Sequence, residues 1–243
     1  MSFSKYMTEG VHDPSIFKAI FLVGGAGSGK STVSGRTTSG LGFKILNSDE
    51  LFEYLMKKKG FGPPKVGAGP INQMNLDVIP KQEWIPQREK SKAATTARFS
   101  VAQPSSGYWG QGKLGLIIDA TGDDFEKVRT QKKSLEEAGY DCMMIFVNTS
   151  LEKSLERNLL RWRVVPQEIA TRIWHNVHDN MGKFLGLFGS SKFFIVDNTK
   201  DTEEKDDIQS PNVWKQVMKF AKQPIENPIA KAWIASELQN RRR

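Results

Sequence analysis

The strongest chemical signal in the sequence is a glycine-rich segment, FLVGGAGSGKST at residues 21–32, which begins as a short apolar run. Its spacing of Gly, four residues, Gly-Lys and a hydroxyl residue is typical of a phosphate-binding loop, or P-loop, between a strand and a helix. The glycines permit positive φ angles, so consecutive backbone N–H groups can turn towards an anion. The segment predicts a nucleotide-binding loop formed by Gly24, Gly25, Ala26, Gly27, Ser28, Gly29, Lys30, Ser31 and Thr32.

Two side chains of this loop predict its chemistry. Lys30 would place a cation on the β- and γ-phosphates, and the Ser31 hydroxyl would ligate Mg²⁺. The pair indicates ATP and Mg²⁺ as cofactors and makes Lys30 a candidate catalytic residue. A P-loop alone does not distinguish kinases from other nucleotide-binding proteins.

Two aspartates follow other apolar runs, at places where strands are expected to end. Asp49 comes after residues 43–46 and is a candidate general base for an attacking hydroxyl; the alternative is that it caps a helix starting near Leu51. Asp119 comes after residues 114–118 and could hold Mg²⁺ through water or, together with Thr121, bind the acceptor. Because ligands bind at the carboxyl edge of a parallel sheet, both aspartates are expected beside the P-loop.

Three arginines, Arg157, Arg161 and Arg163, lie across the predicted end of a helix that precedes Pro166. The spacing places Arg157 and Arg161 on one helix face. Guanidinium groups bind phosphate oxygens in pairs, so the cluster predicts a catalytic lid over the transferred group. The alternative is a set of solvated charges that complement the helix dipole.

Residues 53–112 form an insertion that is too long for an ordinary connection and includes a stretch at 57–70 dense in Gly and Pro. A helix is expected at 87–101. Arg88 and Arg98 of this helix are candidate substrate-binding residues, and with Tyr108 and Trp109 they could form a nucleic-acid groove. An apolar core with a solvated helix face explains the same residues equally well.

The remaining sequence alternates short apolar runs with helical patterns, which predicts an α/β fold: a doubly wound parallel sheet of P-loop NTPase type, about five strands, with helices on both faces. Strands are expected at 19–23, 43–46, 114–118, 143–147 and 193–196. We expect a single domain over residues 1–243. Residues 53–112 would be its substrate-side insertion, and residues 211–243 its C-terminal helices and basic tail.

Composition narrows the class of protein only partly. The chain has 243 residues, 38% hydrophobic residues, a formal net charge of +8 and one cysteine. No stretch is apolar enough to span a bilayer and the N-terminus does not read as a secretory signal, so we expect no membrane association and a cytoplasmic location. The basic charge favours polyanionic partners without selecting one, and the oligomeric state is not indicated.

Taken together, GGAGSGKST, LNSDE, LIIDATG and ERNLLRWR before VVP resemble the P-loop kinases grouped with the zeta toxins and the phage polynucleotide kinases. The resemblance extends over residues 17–198, and residues 53–112 do not align. The sequence is also similar to kinase-like proteins of large tailed phages, some of which act on hydroxymethylated bases in phage DNA. A phage origin would place the protein in the host cytosol.

The resemblance implies roles for particular residues. The aspartate at position 49 would activate the acceptor hydroxyl, and Arg157, Arg161 and Arg163 would close over the phosphates. Asn198, after the last strand, would contact the adenine. In such kinases the strand end at Asp119 contacts the acceptor as often as the metal.

These features leave three functions open. The first is a kinase that transfers the γ-phosphate of ATP to a hydroxyl of a nucleic acid, either a 5′-hydroxyl end or a hydroxymethylated base of DNA, or to a nucleotide. The second is a zeta-toxin-like kinase of a nucleotide sugar or other small metabolite. The third is an ATP-binding module without catalysis.

Overall fold

Five parallel strands form one sheet in the order β2-β3-β1-β4-β5. The computed structural model describes residues 11–37, 41–61, 79–161, 163–200 and 210–240. The predicted α/β fold, a doubly wound parallel sheet of P-loop NTPase type, is confirmed, and the strand that leads into the P-loop is the central one. The strands are β1 Lys18–Val23, β2 Lys44–Leu46, β3 Leu116–Ala120, β4 Asp141–Asn148 and β5 Phe193–Asp197.

Helices connect and follow the strands. They are α1 Lys30–Thr37, α2 Ser48–Lys58, α3 Lys81–Arg98, α4 Tyr108–Gln111, α5 Phe125–Glu137, α6 Leu151–Leu159, α7 Gln167–Asp179, α8 Met181–Phe188, α9 Ser210–Lys222 and α10 Pro228–Asn240. Ser150 is the N-cap of α6, since its hydroxyl accepts a hydrogen bond from the Lys153 backbone N–H. Within the described residues, no helix has the length and apolar character needed to cross a membrane.

The two faces of the sheet bury separate cores, because successive side chains of a strand point to opposite sides. Phe21 of β1 packs into the core that also contains residues of α5, α7, α8 and α10. Leu22 packs into the core formed with α9, and Val33 of α1 lies against it. Helices therefore cover both faces, and the carboxyl ends of the strands form the open edge on which the P-loop lies.

The insertion differs from its predicted outline. The helix expected at 87–101 runs from Lys81 to Arg98 and contains Pro86. Proline predicts a helix start because it lacks an N–H donor. Here the helix extends ahead of Pro86 because Trp84 packs against Phe52 and Met56 of α2, and this burial outweighs the local preference. The short helix α4 was not expected, and part of the 57–70 stretch and the tail at 241–243 lie outside the described residues.

The C-terminal helices are tied to the amino end of the sheet by a buried ion pair. The ammonium of Lys18 donates to Asp141 Oδ2 at 2.9 Å, and the two side chains are 1% and 6% exposed. The same carboxylate accepts from the backbone N–H groups of Glu226 and Asn227, which lie between α9 and α10. One aspartate thus joins β1, β4 and the last helix pair.

Candidate active site

The P-loop leaves β1 and turns into α1 through glycines that have left-handed backbone angles. Gly27 has φ 80° and Gly29 has φ 90°. An added Cβ at Gly27 would lie 2.2 Å from the Ser154 carbonyl oxygen, so this position also requires the absence of a side chain. Lys30 begins α1, and its ammonium donates to the carbonyls of Gly24 at 2.6 Å and Gly25 at 3.1 Å.

Side chains outside the loop hold its outer surface. Ser154 of α6 donates to the Ala26 carbonyl. Thr149, after β4, donates to the Ser28 carbonyl at 3.2 Å, and the Asn198 amide donates to the same oxygen at 2.8 Å. Sequence reasoning missed Ser154 and Thr149. A usable signal was present, because Ser154 is a polar residue at an inward position of an amphipathic helix.

The inner side of the loop fits an anion. The Ser28 hydroxyl is buried and has no hydrogen-bond partner among the described residues. The N-terminus of α1 points its free N–H groups and the positive end of its dipole at the same place. These features fit the phosphates of a nucleotide, as the sequence pattern predicts.

Asp49 lies in the first turn of α2, and the expectation that it might cap this helix is wrong. The N-cap is Asn47, whose side chain accepts from the Asp49 backbone N–H at 2.7 Å. The Asp49 carboxylate instead lies between two guanidinium groups. Arg88 of α3 donates to Oδ1, and Arg163 donates to Oδ2 at 2.5 Å.

The two arginines control the ionisation of Asp49. Burial by itself raises the pKa of this carboxyl group, but the positive charges of Arg163 and Arg88 and their hydrogen bonds outweigh burial. The pKa of Asp49 therefore lies below its ordinary value. The group is ionised at neutral pH and is a weaker base than a free aspartate.

Asp119 at the end of β3 is linked to the same site through Asn47, whose amide donates to Asp119 Oδ2 at 2.7 Å. Burial raises the pKa of Asp119 although the charge of Lys30 opposes this, and the negative charge of Asp49 adds to the rise. Burial likewise lowers the pKa of Lys30 against the attraction of Asp119. Lys30, Asp49 and Asp119 thus act on one another at the carboxyl edge of the sheet. The exposed hydroxyl of Thr121 bonds to Asp123, whose charge also acts on Lys30.

The three arginines after β4 reach different places. Helix α6 ends at Leu159, so the i,i+4 helix face predicted for Arg157 and Arg161 is not formed. Arg157 donates to the backbone carbonyls of Asn198 at 2.7 Å and Lys200 at 3.4 Å. The charge of Arg161 acts on Lys30 and Asp119, whereas Arg163 reaches Asp49.

A local turn causes this divergence. The Asn158 amide donates to the Val165 carbonyl at 2.7 Å and accepts from the Val165 N–H at 3.1 Å. The chain therefore folds back between these residues and leaves the helix direction before Arg161.

The other predicted substrate contacts lie apart from Asp49. Arg98 stacks over the Trp109 ring, with 5.7 Å between the guanidinium carbon and the ring centroid. It is ten positions beyond Arg88 on one helix, which corresponds to about 15 Å. Asn198 uses its amide nitrogen on the P-loop, and its contact with adenine stays a prediction.

The metal ligands predicted from the sequence are the Ser31 hydroxyl and the Asp119 carboxylate. Both are oxygen donors of the type that Mg²⁺ prefers. In the described part of the chain, no group of three or more His, Cys, Asp or Glu residues could hold a metal ion.

Comparison with known proteins agrees with the fold. No protein-family model matches the chain, and no curated protein sequence matches it. A chain of the AvrRxo1-ORF1:AvrRxo1-ORF2 structure with sulphate ions is similar at 12% identity and a TM-score of 0.50, over 88% of this chain and 70% of that one.

Two further solved structures are similar. The structure of the PezAT toxin-antitoxin system of Streptococcus pneumoniae has 16% identity and a TM-score of 0.48, over 92% of this chain and 86% of that one. A shikimate kinase from Acinetobacter baumannii in complex with shikimate has 15% identity and a TM-score of 0.42, over 83% and 91%. At these identities the likeness concerns the fold alone.

Proposed function

We propose that the protein is an ATP-dependent kinase that transfers the γ-phosphoryl group to a hydroxyl of a nucleic acid or nucleotide. The observation that carries this proposal is that Asn47 joins Asp119 to Asp49 at the P-loop edge of the sheet, where the charge of Lys30 acts on Asp119. A P-loop by itself needs no carboxylate at the end of β2. A hydroxyl acceptor does, because its proton must leave as its oxygen bonds to phosphorus.

In the proposed reaction the acceptor oxygen attacks the γ-phosphorus, and Asp49 takes the hydroxyl proton. The bond between the γ-phosphorus and the bridging oxygen breaks, and ADP keeps that oxygen. Lys30 and Arg161 neutralise the charge that spreads over the transferred group. Mg²⁺, when held by Ser31, Asp119 and the nucleotide, supplies further charge neutralisation at the phosphates.

A nucleic-acid or nucleotide acceptor is favoured by charge. The chain has a formal net charge of +8. Arg88 reaches Asp49 from α3, and the same helix exposes Lys81, Lys90 and Lys92 to solvent. A phosphorylated acceptor could therefore bind cations both beside the general base Asp49 and along α3 of the insertion.

A small acidic metabolite is the second candidate, and the position of Arg98 favours it. Because Arg98 is stacked on Trp109 and lies far along α3 from Asp49, the cations next to the base form a compact group. A compact group of cations can bind a small anionic metabolite as well as it can bind one nucleotide of a nucleic acid.

The experiment that tests the proposal offers labelled ATP and Mg²⁺ with a panel of acceptors: 5′-hydroxyl DNA and RNA, hydroxymethylated DNA, mononucleotides and nucleotide sugars. Label in a nucleic acid or nucleotide supports the first candidate, and label in a nucleotide sugar supports the second. ATP binding with no transfer to any acceptor would contradict the kinase and favour the ATP-binding module.

A further inference from the structure

The Asp49 carboxylate cannot act freely as a base while both of its oxygens accept from arginines. Arg88 comes from α3 and Arg163 from the turn after α6, so two separate elements hold one carboxylate. Both guanidinium groups also lie over the ring of Phe52, at 5.2 Å and 5.9 Å from its centroid. Phe52 is fully buried, and the pair of cations is therefore held in place by packing as well as by charge.

Two buried hydrogen-bond donors near this pair have no acceptor in the described part of the chain. Arg163 Nε is buried and donates to nothing in the described part of the chain, and Glu53 Oε1 lies 3.7 Å from it, beyond hydrogen-bond distance. Trp84 lies one helical turn before Arg88 and packs on Phe52, and its indole N–H is likewise buried without an acceptor. A buried donor without a partner destabilises its surroundings, and a ligand oxygen would satisfy it.

We propose that the phosphoryl acceptor carries an anionic oxygen group beside its hydroxyl, and that this group binds Arg88 and Arg163 and so releases Asp49 to act as the base. The inference rests on the proposed function, because it takes Asp49 to be the base for a hydroxyl acceptor. Phosphate and carboxylate share the required chemistry, since both accept paired hydrogen bonds from guanidinium groups. Arg88 is then a positioning residue that keeps Asp49 unreactive until the acceptor arrives.

The exchange has a simple electrostatic reason. While the arginines bond to Asp49 they stabilise its ionised form, which lowers its proton affinity. An acceptor anion that takes over these bonds brings a negative charge next to Asp49 and removes two donors from it. Both changes increase its proton affinity. Asp49 is thus a stronger base when the acceptor is bound than when only water occupies the site.

The test follows the Asp49 carboxyl carbon by NMR in the whole protein, with Asp49→Asn to assign the signal. Inorganic phosphate and difluoroacetate, a carboxylate that stays ionised at low pH, are added in separate titrations at constant ionic strength, with chloride as reference. We expect at least one of the two anions to raise the pKa of Asp49 by roughly one unit. This readout does not require kinase activity, so the anion site can be tested even if no acceptor is phosphorylated.

Variants show whether the anion acts through Arg88. Arg88→Gln should raise the pKa of Asp49 without any anion and remove most of the further effect of phosphate or difluoroacetate. Arg88→Lys keeps the charge and should raise the pKa of Asp49 less. It replaces the glutamine variant in this test if that variant does not fold. Arg129→Gln, at an exposed arginine of α5 paired with Glu126, is the matched control and should leave the titration of Asp49 unchanged.

Two results would overturn the inference. One is a pKa of Asp49 that neither anion changes in the wild-type protein. The other is a phosphate effect that persists undiminished in Arg88→Gln, since such an effect would not depend on the proposed pair of arginines. Once an acceptor is known, Arg88→Gln should raise its KM more than it lowers kcat and should increase acceptor-independent ATP hydrolysis several-fold. Unchanged KM and hydrolysis would count against the inference even if the kinase activity itself stands.

Discussion

At the scale of single residues, Lys30 is the charge on which the proposed phosphate binding would depend. Its ammonium bonds to the Gly24 and Gly25 carbonyls, and burial lowers its pKa. Bound phosphates would replace the carbonyls as partners and favour the charged form of the lysine. The carbonyls and the charge of Asp119 offset part of the cost of burying this cation, and a bound anion would offset more of it.

We predict that Lys30→Ala reduces transfer by at least about 10²-fold, because the transition state loses a preorganised positive charge in a buried site. The backbone N–H groups should retain part of the affinity for nucleotide. Labelled-ATP transfer and nucleotide titration measure the two effects. Lys133→Ala, at an exposed lysine of α5, is the control and should behave as wild type. A folded Lys30→Ala protein with near-normal transfer would show that the reaction does not occur at the P-loop.

The role of Asp49 can be separated from its structural contacts. Asp49→Asn keeps the shape and removes the base, so transfer should fall by roughly 10²-fold or more while ATP affinity changes little. The measurements are ATP affinity, melting temperature and transfer rate on one preparation. A loss of ATP affinity in parallel with the rate would instead assign Asp49 to Mg²⁺·ATP binding. Unchanged transfer would remove Asp49 from the mechanism.

At the scale of elements, the P-loop depends on its packing against α6. The Ser154 hydroxyl bonds to Ala26, and the Ser154 backbone lies where a side chain on Gly27 would have to go. Helix α6 also leads into the turn that carries Arg161 and Arg163. Movement of this helix would therefore change the phosphate loop and the arginines together.

Two glycine variants test this packing. Gly27→Ala should destabilise the protein by more than about 2 kcal/mol, because an alanine would adopt φ 80° and its Cβ would lie 2.2 Å from Ser154 O. Gly25→Ala is the matched comparison, since its Cβ would meet Trp174 Cδ1 at an ordinary 3.6 Å. Its cost should stay within about 1 kcal/mol. Denaturant unfolding measures both, and equal stabilities would contradict the requirement for glycine at position 27.

At the scale of the whole molecule, the site lies at one end of the sheet and the Lys18–Asp141 pair lies at the other. The pair joins the central strand β1 to its hydrogen-bonded neighbour β4. Through Asp141 it also holds the connection between α9 and α10, and Trp233 of α10 packs against Phe17. The C-terminal helices are thus part of the fold that supports the P-loop strand.

Asp141→Asn should therefore destabilise the protein by about 3–5 kcal/mol, because it leaves the buried Lys18 ammonium without a counter-charge. Glu226→Gln is the control. It removes a surface ion pair with Lys192, in which the glutamate is 64% exposed, and should cost less than about 1 kcal/mol. Thermal unfolding of the two variants compares them directly. Similar stabilities would show that the buried pair is dispensable.

The sequence by itself determined the features that depend on neighbouring residues. The P-loop could be predicted because its backbone angles demand glycine at fixed spacing. The end of α5 could be predicted because Gly139, just after the C-cap Ala138, has a φ of 101° that favours glycine. The strands were recognisable as short apolar runs, and β1 and β4 most clearly so, since a strand buried on both faces has few polar positions. Asp49 and Asp119 could be assigned to one edge because parallel strands end there together.

Only the tertiary structure decided what surrounds Asp49. Arg88 and Arg163 are 39 and 114 positions away from it along the chain. No local pattern records which distant side chains meet, because the packing of Trp84 on Phe52 sets the position of α3 and the Asn158 turn directs Arg163. The same holds for Ser154 and Thr149, whose roles depend on where α6 and the end of β4 lie against the loop. The physical reason is that local backbone preference selects the elements, whereas burial and ion pairing between distant elements select the partners.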